Sequence, residues 1–228
     1  MKLSVIIPVF NEKKNLLSIL EKVQSADIGK IEKEIIIVDD FSIDGTREIL
    51  KKIRDRNVVL AYHEKNYGKG RAIRTALEKI TGDLVIIQDA DLEYDPQNYM
   101  SLIKPILEKK AEVVYGSRNL GKNEHSYLSF YLGGKFVTFI ANMLYGLDIT
   151  DEATCYKVFK KETLTSLNLE CERFEFCPEV TAKIAKKGIK ILEVPIDYYP
   201  RKKSEGKKIR WKDGLEAIWV LCKYKFKE

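Results

Sequence analysis

Carboxylates gather at two places in this 228-residue chain where apolar runs stop. Ile36-Ile-Val38 leads into Asp39-Asp40, and Leu84-Val-Ile-Ile87 leads into Gln88-Asp89-Ala90-Asp91. Side chains at i and i+2 of extended backbone face the same side, so Asp89 and Asp91 are expected to converge on one point. Adjacent carboxylates repel unless a cation or a shared proton intervenes. Oxygen donors with no His or Cys beside them suit Mg²⁺ or Mn²⁺, which in such sites also take phosphate oxygens and water. Glu93 offers a third oxygen. The competing reading is that Asp-x-Asp only caps a turn before the helix that Pro96 opens, and a short motif alone does not choose between them.

The elements that must position these groups alternate in the manner of β-α-β units, which implies an α/β fold with a mostly parallel sheet. Strands are expected at Leu3–Val9, Glu34–Val38, Val58–Tyr62, Leu84–Ile87, Val113–Tyr115, Lys157–Phe159 and Lys190–Val194. Helices are expected over Asn15–Gln24, from Thr46, over Gly70–Ile80, after Pro96, as one long apolar helix or a helix pair after residue 126, and over Pro178–Lys186. No repeat or low-complexity linker divides the chain, so residues 1–228 read as a single domain. Its first half (1–118) is expected to bind a nucleotide and its second (119–228) an acceptor, since ligands sit at the carboxyl ends of parallel strands.

Gly68-Lys69-Gly70 superficially suggests a phosphate loop, but no Gly lies four residues earlier and no Ser or Thr follows Lys69. A helix N-terminus there is still an anion site, with Lys69 in a supporting role. Cys155, Cys171, Cys177 and Cys222 form no C-x-x-C pair, and only His63 and His125 accompany them, which argues against zinc.

In this setting the sequence resembles the family 2 glycosyltransferases of GT-A fold, in particular the dolichol-phosphate mannose synthase-like enzymes that load polyprenyl phosphates with sugar. The resemblance spans nearly the whole chain. Its landmarks are Val5–Glu12 (VIIPVFNE), Ile36–Thr46 (IIVDDFSIDGT), Asn66–Gly70, Asp89–Glu93 (DADLE), Gly116–Arg118, Thr150–Lys157 and Phe174–Glu179, in order and at family spacing. It implies that Pro8, Phe10 and Glu12 line the nucleotide pocket, with Glu12 near the ribose and with Val38 and Asp39 flanking the base. It further implies that Asp89 and Asp91, with Glu93, bind Mg²⁺ or Mn²⁺ and the diphosphate, and that Ala90 lies against the nucleotide. Arg118, Arg201 and Lys207 or Lys208 would bring positive charge to the donor diphosphate or the acceptor phosphate. Asp89, Asp91 and Arg118 would then be the catalytic residues. Two departures stand out: Glu93 where relatives often carry Gln, and no transmembrane helices after this domain.

The function implied is inverting, metal-dependent transfer of a hexose from a nucleotide sugar of the GDP-mannose or UDP-glucose type to a polyprenyl or dolichyl phosphate. A phosphate acceptor is largely dianionic at neutral pH, so it needs no strong general base, and direct displacement with inversion follows. The alternatives are a related transferase with a soluble or polysaccharide acceptor, and a non-catalytic nucleotide- or membrane-binding module.

Charge distribution points to the acceptor side. The net charge is +6, yet residues 1–200 hold 30 basic and 30 acidic side chains, so the whole excess lies in the last 28 positions. That excludes a uniformly basic, histone-like chain. Residues 199–214 read as a basic, Gly206-containing flap. A helix follows with Trp211, Leu215, Ile218, Trp219, Cys222 and Phe226 on one face. This helix either packs on the body or rests on a membrane surface, where Trp and Lys at an apolar edge suit the interface. No nucleic-acid module accompanies the cations, so no nucleic-acid partner is expected. The apolar stretch of residues 126–147 is interrupted by Lys135 and is too short to span a bilayer, which takes about 18 or more uncharged residues. No signal peptide is visible. A cytoplasmic protein, peripheral on the cytoplasmic face of a membrane, is the expectation.

Overall fold

The computed structural model of the chain describes residues 1–124, 127–201 and 211–227. Among these, seven strands form one sheet: β1 (Lys2–Val9), β2 (Glu32–Asp39), β3 (Val58–Tyr62), β4 (Leu84–Ile87), β5 (Val113–Ser117), β6 (Lys157–Lys160) and β7 (Ile191–Pro195). Their order is β3-β2-β1-β4-β6-β5-β7. All pairings are parallel except those of β6, which runs antiparallel between β4 and β5. Ile6, Ile7, Ile36, Ile37, Ile86 and Ile87 are fully buried, because helices cover both faces of the sheet and leave no polar side to the strands.

The helices are α1 (Leu16–Ser25), α2 (Thr46–Leu50), α3 (Lys69–Leu77), α4 (Tyr99–Leu107), α5 (Leu128–Tyr145), α6 (Lys161–Thr165), α7 (Phe176–Lys186) and α8 (Trp211–Phe226). In α1 the buried stripe is Leu16, Ile19, Leu20 and Val23, the spacing of one helical face. Pro96 starts a 3₁₀ turn ahead of α4, and the Asp95 carboxylate accepts from the Gln97 amide at 3.1 Å to cap it. The long apolar segment forms the single helix α5 rather than a pair, ended by Gly146 in the left-handed region (φ 65°). The five-residue α6 has too little periodicity to announce itself in sequence.

Register explains why the carboxylates meet. Pro8 lies opposite Val38 and Val9 opposite Asp39, while Ile6 lies opposite Ile87. The loops leaving β1, β2 and β4 therefore emerge side by side. From β1 the chain order runs one way through β2 and β3 and the other way to β4, so this rim is the topological switch point where open α/β sheets bind ligands. A second, smaller core joins α5, α7 and α8 through Val137, Ala141, Ala182, Val220, Leu221 and Tyr224. Helix α8 thus packs on the body, but by the face opposite Trp211, Leu215, Trp219 and Phe226, which are exposed.

At the other end of the sheet the buried Glu34 carboxylate accepts from Ser4 Oγ at 2.6 Å, from the Thr81 amide and hydroxyl at 2.6 Å each, and pairs with Lys2 Nζ at 2.5 Å. Burial works against its charge, yet these partners bring its pKa down to about 2 from an ordinary value of 4.5. A folded value below the unfolded one means stability that is present above pH 4.5 and lost as pH falls toward 2. Glu34→Gln is expected to cost about 2 kcal/mol at pH 7, after allowing for solvent screening beside Lys2. The difference from wild type should vanish in urea melts as the pH is lowered through that window.

Candidate active site at the carboxyl ends of β1, β2 and β4

Asp89 and Asp91 lie in a turn beyond β4, which ends at Ile87, and Leu92 in the same turn takes φ 64°. The expected convergence through strand alternation is therefore corrected: the turn and two cations orient the carboxylates. Asp89 Oδ1 pairs with Nζ of Lys69, the first residue of α3, at 2.5 Å. Asp91 Oδ2 pairs with Arg201 Nη2 at 2.6 Å. Arg201 also reaches toward Glu93 (3.5 Å) and Glu12 (3.8 Å), so one guanidinium draws three carboxylates together. Its Nε is buried and has no hydrogen-bond partner among the described residues.

Arg201 is placed by backbone. The Arg201 and Tyr199 amides donate to the Glu93 carboxylate (2.9 Å) and carbonyl (2.8 Å), and the Tyr198 hydroxyl donates to Glu93 Oε2 at 2.7 Å. The chain thus enters its basic segment pinned against the Asp-x-Asp turn. Glu93 is committed to this pinning. Among the described residues no three Asp, Glu, His or Cys side chains are arranged to hold a metal ion.

The electrostatics follow from this crowding. Burial, then the negative charges of Asp89 and Glu93, raise the Asp91 carboxyl to about 7, with Arg201 opposing. For Asp89, burial is outweighed by Lys69, which holds its carboxyl below the ordinary range. Burial likewise opposes the charge on Lys69, but Asp89 keeps the ammonium protonated. Among the described residues this rim sets the carboxylates of Glu12, Asp89, Asp91 and Glu93 against two cations, Lys69 and Arg201. That is a fit for a divalent ion at Asp89 and Asp91, since Mg²⁺ needs only one or two carboxylates besides phosphate and water.

Arg118 is engaged elsewhere. Its Nε and Nη2 each donate to the buried Asp151 carboxylate at 2.7 Å, its backbone amide donates to the same group at 3.0 Å, and its guanidinium lies 5.1 Å from the Tyr198 ring centroid. The pair ties the loop after β5 to the stretch before β6. Glu12 and Asp39, by contrast, are on the rim. Glu12 accepts from Asn15 Nδ2 at 2.9 Å. Asp39, fully buried, accepts from Arg47 Nε at 2.6 Å, and the Arg47 guanidinium lies 5.7 and 5.3 Å from the Phe41 and Tyr62 ring centroids. Pro8 and Val38 pair with each other one residue before the ends of β1 and β2, Phe10 follows on the β1 loop half-buried, and Ala90 is buried between the two aspartates. Lys207 and Lys208, with the flap residues 202–210, lie outside the described residues, as does His125.

Three contributors had no role in the sequence reading. Asp40, the neighbour of Asp39, accepts from His63 Nδ1 at 2.7 Å and from the Tyr67 and Gly68 amides at 2.9 and 2.7 Å. Tyr198 and Asp151 are the others: Asp151 lies within the Thr150–Lys157 landmark without an assigned role, and no local pattern marks Tyr198. The acidic doublet was the available signal for Asp40. The glycine loop consequently differs from expectation: three amides at the start of α3 are already used, Gly68 by Asp40, Gly70 by Arg173 O and Arg71 by Glu172 O. A Cβ at Gly68 (φ +101°) would lie 2.6 Å from Glu172 O, so glycine is required by close backbone approach. Gly68→Ala is expected to cost about 3 kcal/mol. Gly133→Ala on α5, where nothing lies within 4 Å, should be neutral or slightly stabilising. Thermal melts of the two variants side by side check this.

Comparison with known proteins gives the family and the fold. Residues 4–167 match the family model described as glycosyl transferase family 2. The chain is 30% identical over 213 residues to the UDP-N-acetylglucosamine–dolichyl-phosphate N-acetylglucosaminyltransferase of Methanococcus voltae, covering 84% of this chain and 83% of that protein. It is 29% identical over 195 residues to the undecaprenyl-phosphate 4-deoxy-4-formamido-L-arabinose transferase of Proteus mirabilis, covering 83% of this chain and 58% of the relative. The glucosyl-3-phosphoglycerate synthase of Mycobacterium tuberculosis, solved with Mn²⁺, UDP and phosphoglyceric acid, superposes with a TM-score of 0.74 at 19% identity, covering 99% of this chain and 78% of that one. That likeness establishes the fold, which is GT-A. With most of its length under the family model and the acidic turn at the switch point, the chain belongs to glycosyl transferase family 2 and is a glycosyltransferase.

Proposed function

We propose that the chain moves a hexose from a nucleotide sugar to a polyprenyl or dolichyl phosphate, with inversion at the anomeric carbon. The observation that carries this reading is the Asp89–Asp91 pair at the rim of β1, β2 and β4, each carboxylate met by one cation of the chain. Asp89 and Asp91 would hold Mg²⁺ or Mn²⁺, which when bound supplies charge neutralisation for the departing nucleoside diphosphate. The acceptors for which these relatives are named, dolichyl and undecaprenyl phosphate, support the lipid phosphate. Mn²⁺ and UDP in the structural neighbour support the donor side.

The chain's residues would divide the work as follows. Phe10, Glu12, Val38 and Asp39 line the nucleotide side, where Arg47 settles the charge of Asp39. Lys69 and Arg201 place positive charge where two anionic reactants have to approach each other, and Lys207, Lys208 and Arg118 are further candidates for that charge. The nucleophile is already ionised, so holding donor and acceptor in line is the main catalytic demand. His63 is tied between Asp40 and Thr75 Oγ1 (2.9 Å), away from any role as base. A lipid acceptor implies attachment at the surface of a membrane on its cytoplasmic face.

The test is transfer from labelled nucleotide sugars to a detergent-dispersed polyprenyl phosphate with Mg²⁺ or Mn²⁺, with the product's anomeric configuration read by NMR. Inverted lipid-linked sugar, lost on chelation and restored by either ion, is expected. Retention would overturn direct displacement, and transfer only to water-soluble acceptors would overturn the lipid phosphate.

A further inference from the structure

Helices α5 and α8 pack against each other and on α7, and both turn an uncovered apolar stripe away from that shared core. On α5 the stripe is Leu128, Leu132, Phe136, Phe139 and Met143, spaced by four, four, three and four residues and 55–69% exposed. On α8 it is Trp211, Leu215, Trp219 and Phe226, 58–83% exposed. The buried residues of the two helices, Val137 and Ala141 on one and Val220, Leu221 and Tyr224 on the other, lie on the opposite faces. The helices are fastened together independently of these stripes. The Tyr145 hydroxyl donates to the Leu221 carbonyl at 2.7 Å, and Lys225 Nζ lies 5.4 Å from the Tyr145 ring centroid. Two rigidly joined helices thus present nine large apolar side chains to the outside, far more than scattered surface leucines would supply.

The rim of the α8 stripe says what covers it. At 100° per residue, Lys212 and Lys223 flank the stripe on one side and Lys225 on the other, with Glu216 next to Lys223 and Asp213 turned toward the body. On α5, Lys135 lies at the edge of the stripe. An apolar band with lysines on its borders matches the boundary between acyl chains and anionic headgroups, where long lysine stems lie along apolar surface and the ammonium groups stay in the polar layer. The sequence's charge excess lies in the residues that lead into and make up α8. Among the described residues no helix is long and apolar enough to cross a membrane, so the helices would lie in the interface plane.

We propose that the joined outer faces of α5 and α8 form a docking surface for an anionic lipid bilayer, seating both helices in the plane of the leaflet. This rests on the lipid-acceptor reading above, since such an acceptor is delivered only from a bilayer. Both tryptophans of the chain, Trp211 and Trp219, lie on this surface and report on it directly.

The experiment is flotation of the full chain with vesicles of phosphatidylcholine mixed with phosphatidylglycerol, against phosphatidylcholine alone, with tryptophan emission recorded in parallel. Binding to the anionic vesicles with a blue shift, weakened by salt, is expected. Phe136→Gln with Phe139→Gln on α5, and separately Leu215→Gln with Trp219→Gln on α8, should each lower vesicle partitioning about tenfold or more. These side chains are exposed, so melting temperatures should hold. Undiminished binding by both variants, or no binding of wild type at low salt, overturns the proposal. Self-association in lipid-free buffer that the same variants abolish also overturns it, by assigning the surface to a second copy. Transfer to a short-chain polyprenyl phosphate in detergent separates the two readings. If transfer persists without vesicle binding, the docking surface alone fails. If vesicles bind and no acceptor is glycosylated, the transferase reading fails and the surface stands.

Discussion

Asp91→Asn is expected to lower kcat/KM for sugar transfer by on the order of 10³-fold, about 4 kcal/mol of transition-state stabilisation, and to leave the fold in place. The loss of activity follows from position, because Asp91 shares the rim turn with Asp89 and the two form the pair proposed to hold the divalent ion. The retained fold follows from electrostatics. Burial, Asp89 and Glu93 raise the Asp91 carboxyl to about 7. A carboxyl whose folded pKa lies above its unfolded one costs stability as the pH rises through the unfolded value, and the full cost is present above the folded one. Replacing it with the neutral amide removes that cost, and Arg201 keeps Glu93 and Glu12 as counter-charges. Asp89→Asn differs, because it strands the half-buried Lys69 ammonium without its carboxylate, so it should lose activity and melt earlier as well. Steady-state kinetics with melting curves on both variants check this. A loss of less than tenfold in Asp91→Asn would remove the acidic turn from the chemistry.

Asp151→Ala should be the most destabilising single change outside the hydrophobic core. Burial penalises the Asp151 carboxylate, but Arg118 holds its pKa below the ordinary range, and the two groups share three hydrogen bonds. Removing one partner of a buried pair leaves an uncompensated charge and costs about 3–5 kcal/mol, a fall in melting temperature on the order of 10 °C for a domain of this size. The same pair decides what Arg118 does. If it ties the β5 loop down, Arg118→Lys loses the two-pronged contact and some stability, while kcat/KM stays within a few-fold. A hundredfold loss of kcat at unchanged melting temperature would instead place Arg118 on a phosphate.

How much of this was legible beforehand varied by element. The parallel strands were, because a strand covered on both faces is a nearly unbroken apolar run, as in Ile35–Val38 and Leu84–Ile87. Helix α6 and the single span of α5 were not, since five residues show no period and a helix apolar on much of its circumference hides its breaks. Helix α8 is the instructive case. Trp211, Leu215, Trp219 and Phe226 mark a genuine amphipathic face, but Ala217, Val220, Leu221 and Tyr224 on the other side are apolar too. Periodicity detects both stripes and does not say which one the body covers.

The site divides the same way. Residue type and order alone determined that Asp39, Asp40, Asp89 and Asp91 cluster where apolar strands stop, that the excess charge is C-terminal, and that the chain resembles sugar transferases. Only the tertiary structure decided who settles those charges: Lys69 from the start of α3 for Asp89, and Arg201, 110 residues away in sequence, for Asp91. It also took Arg118 to Asp151 and the glycine-loop amides to Asp40 and the 172–173 backbone. The reason is physical. Strand formation and charge type are properties of short segments, whereas the pairing of a buried charge depends on which distant group the packing brings within about 3 Å, where the cost of leaving it unpaired makes the contact obligatory.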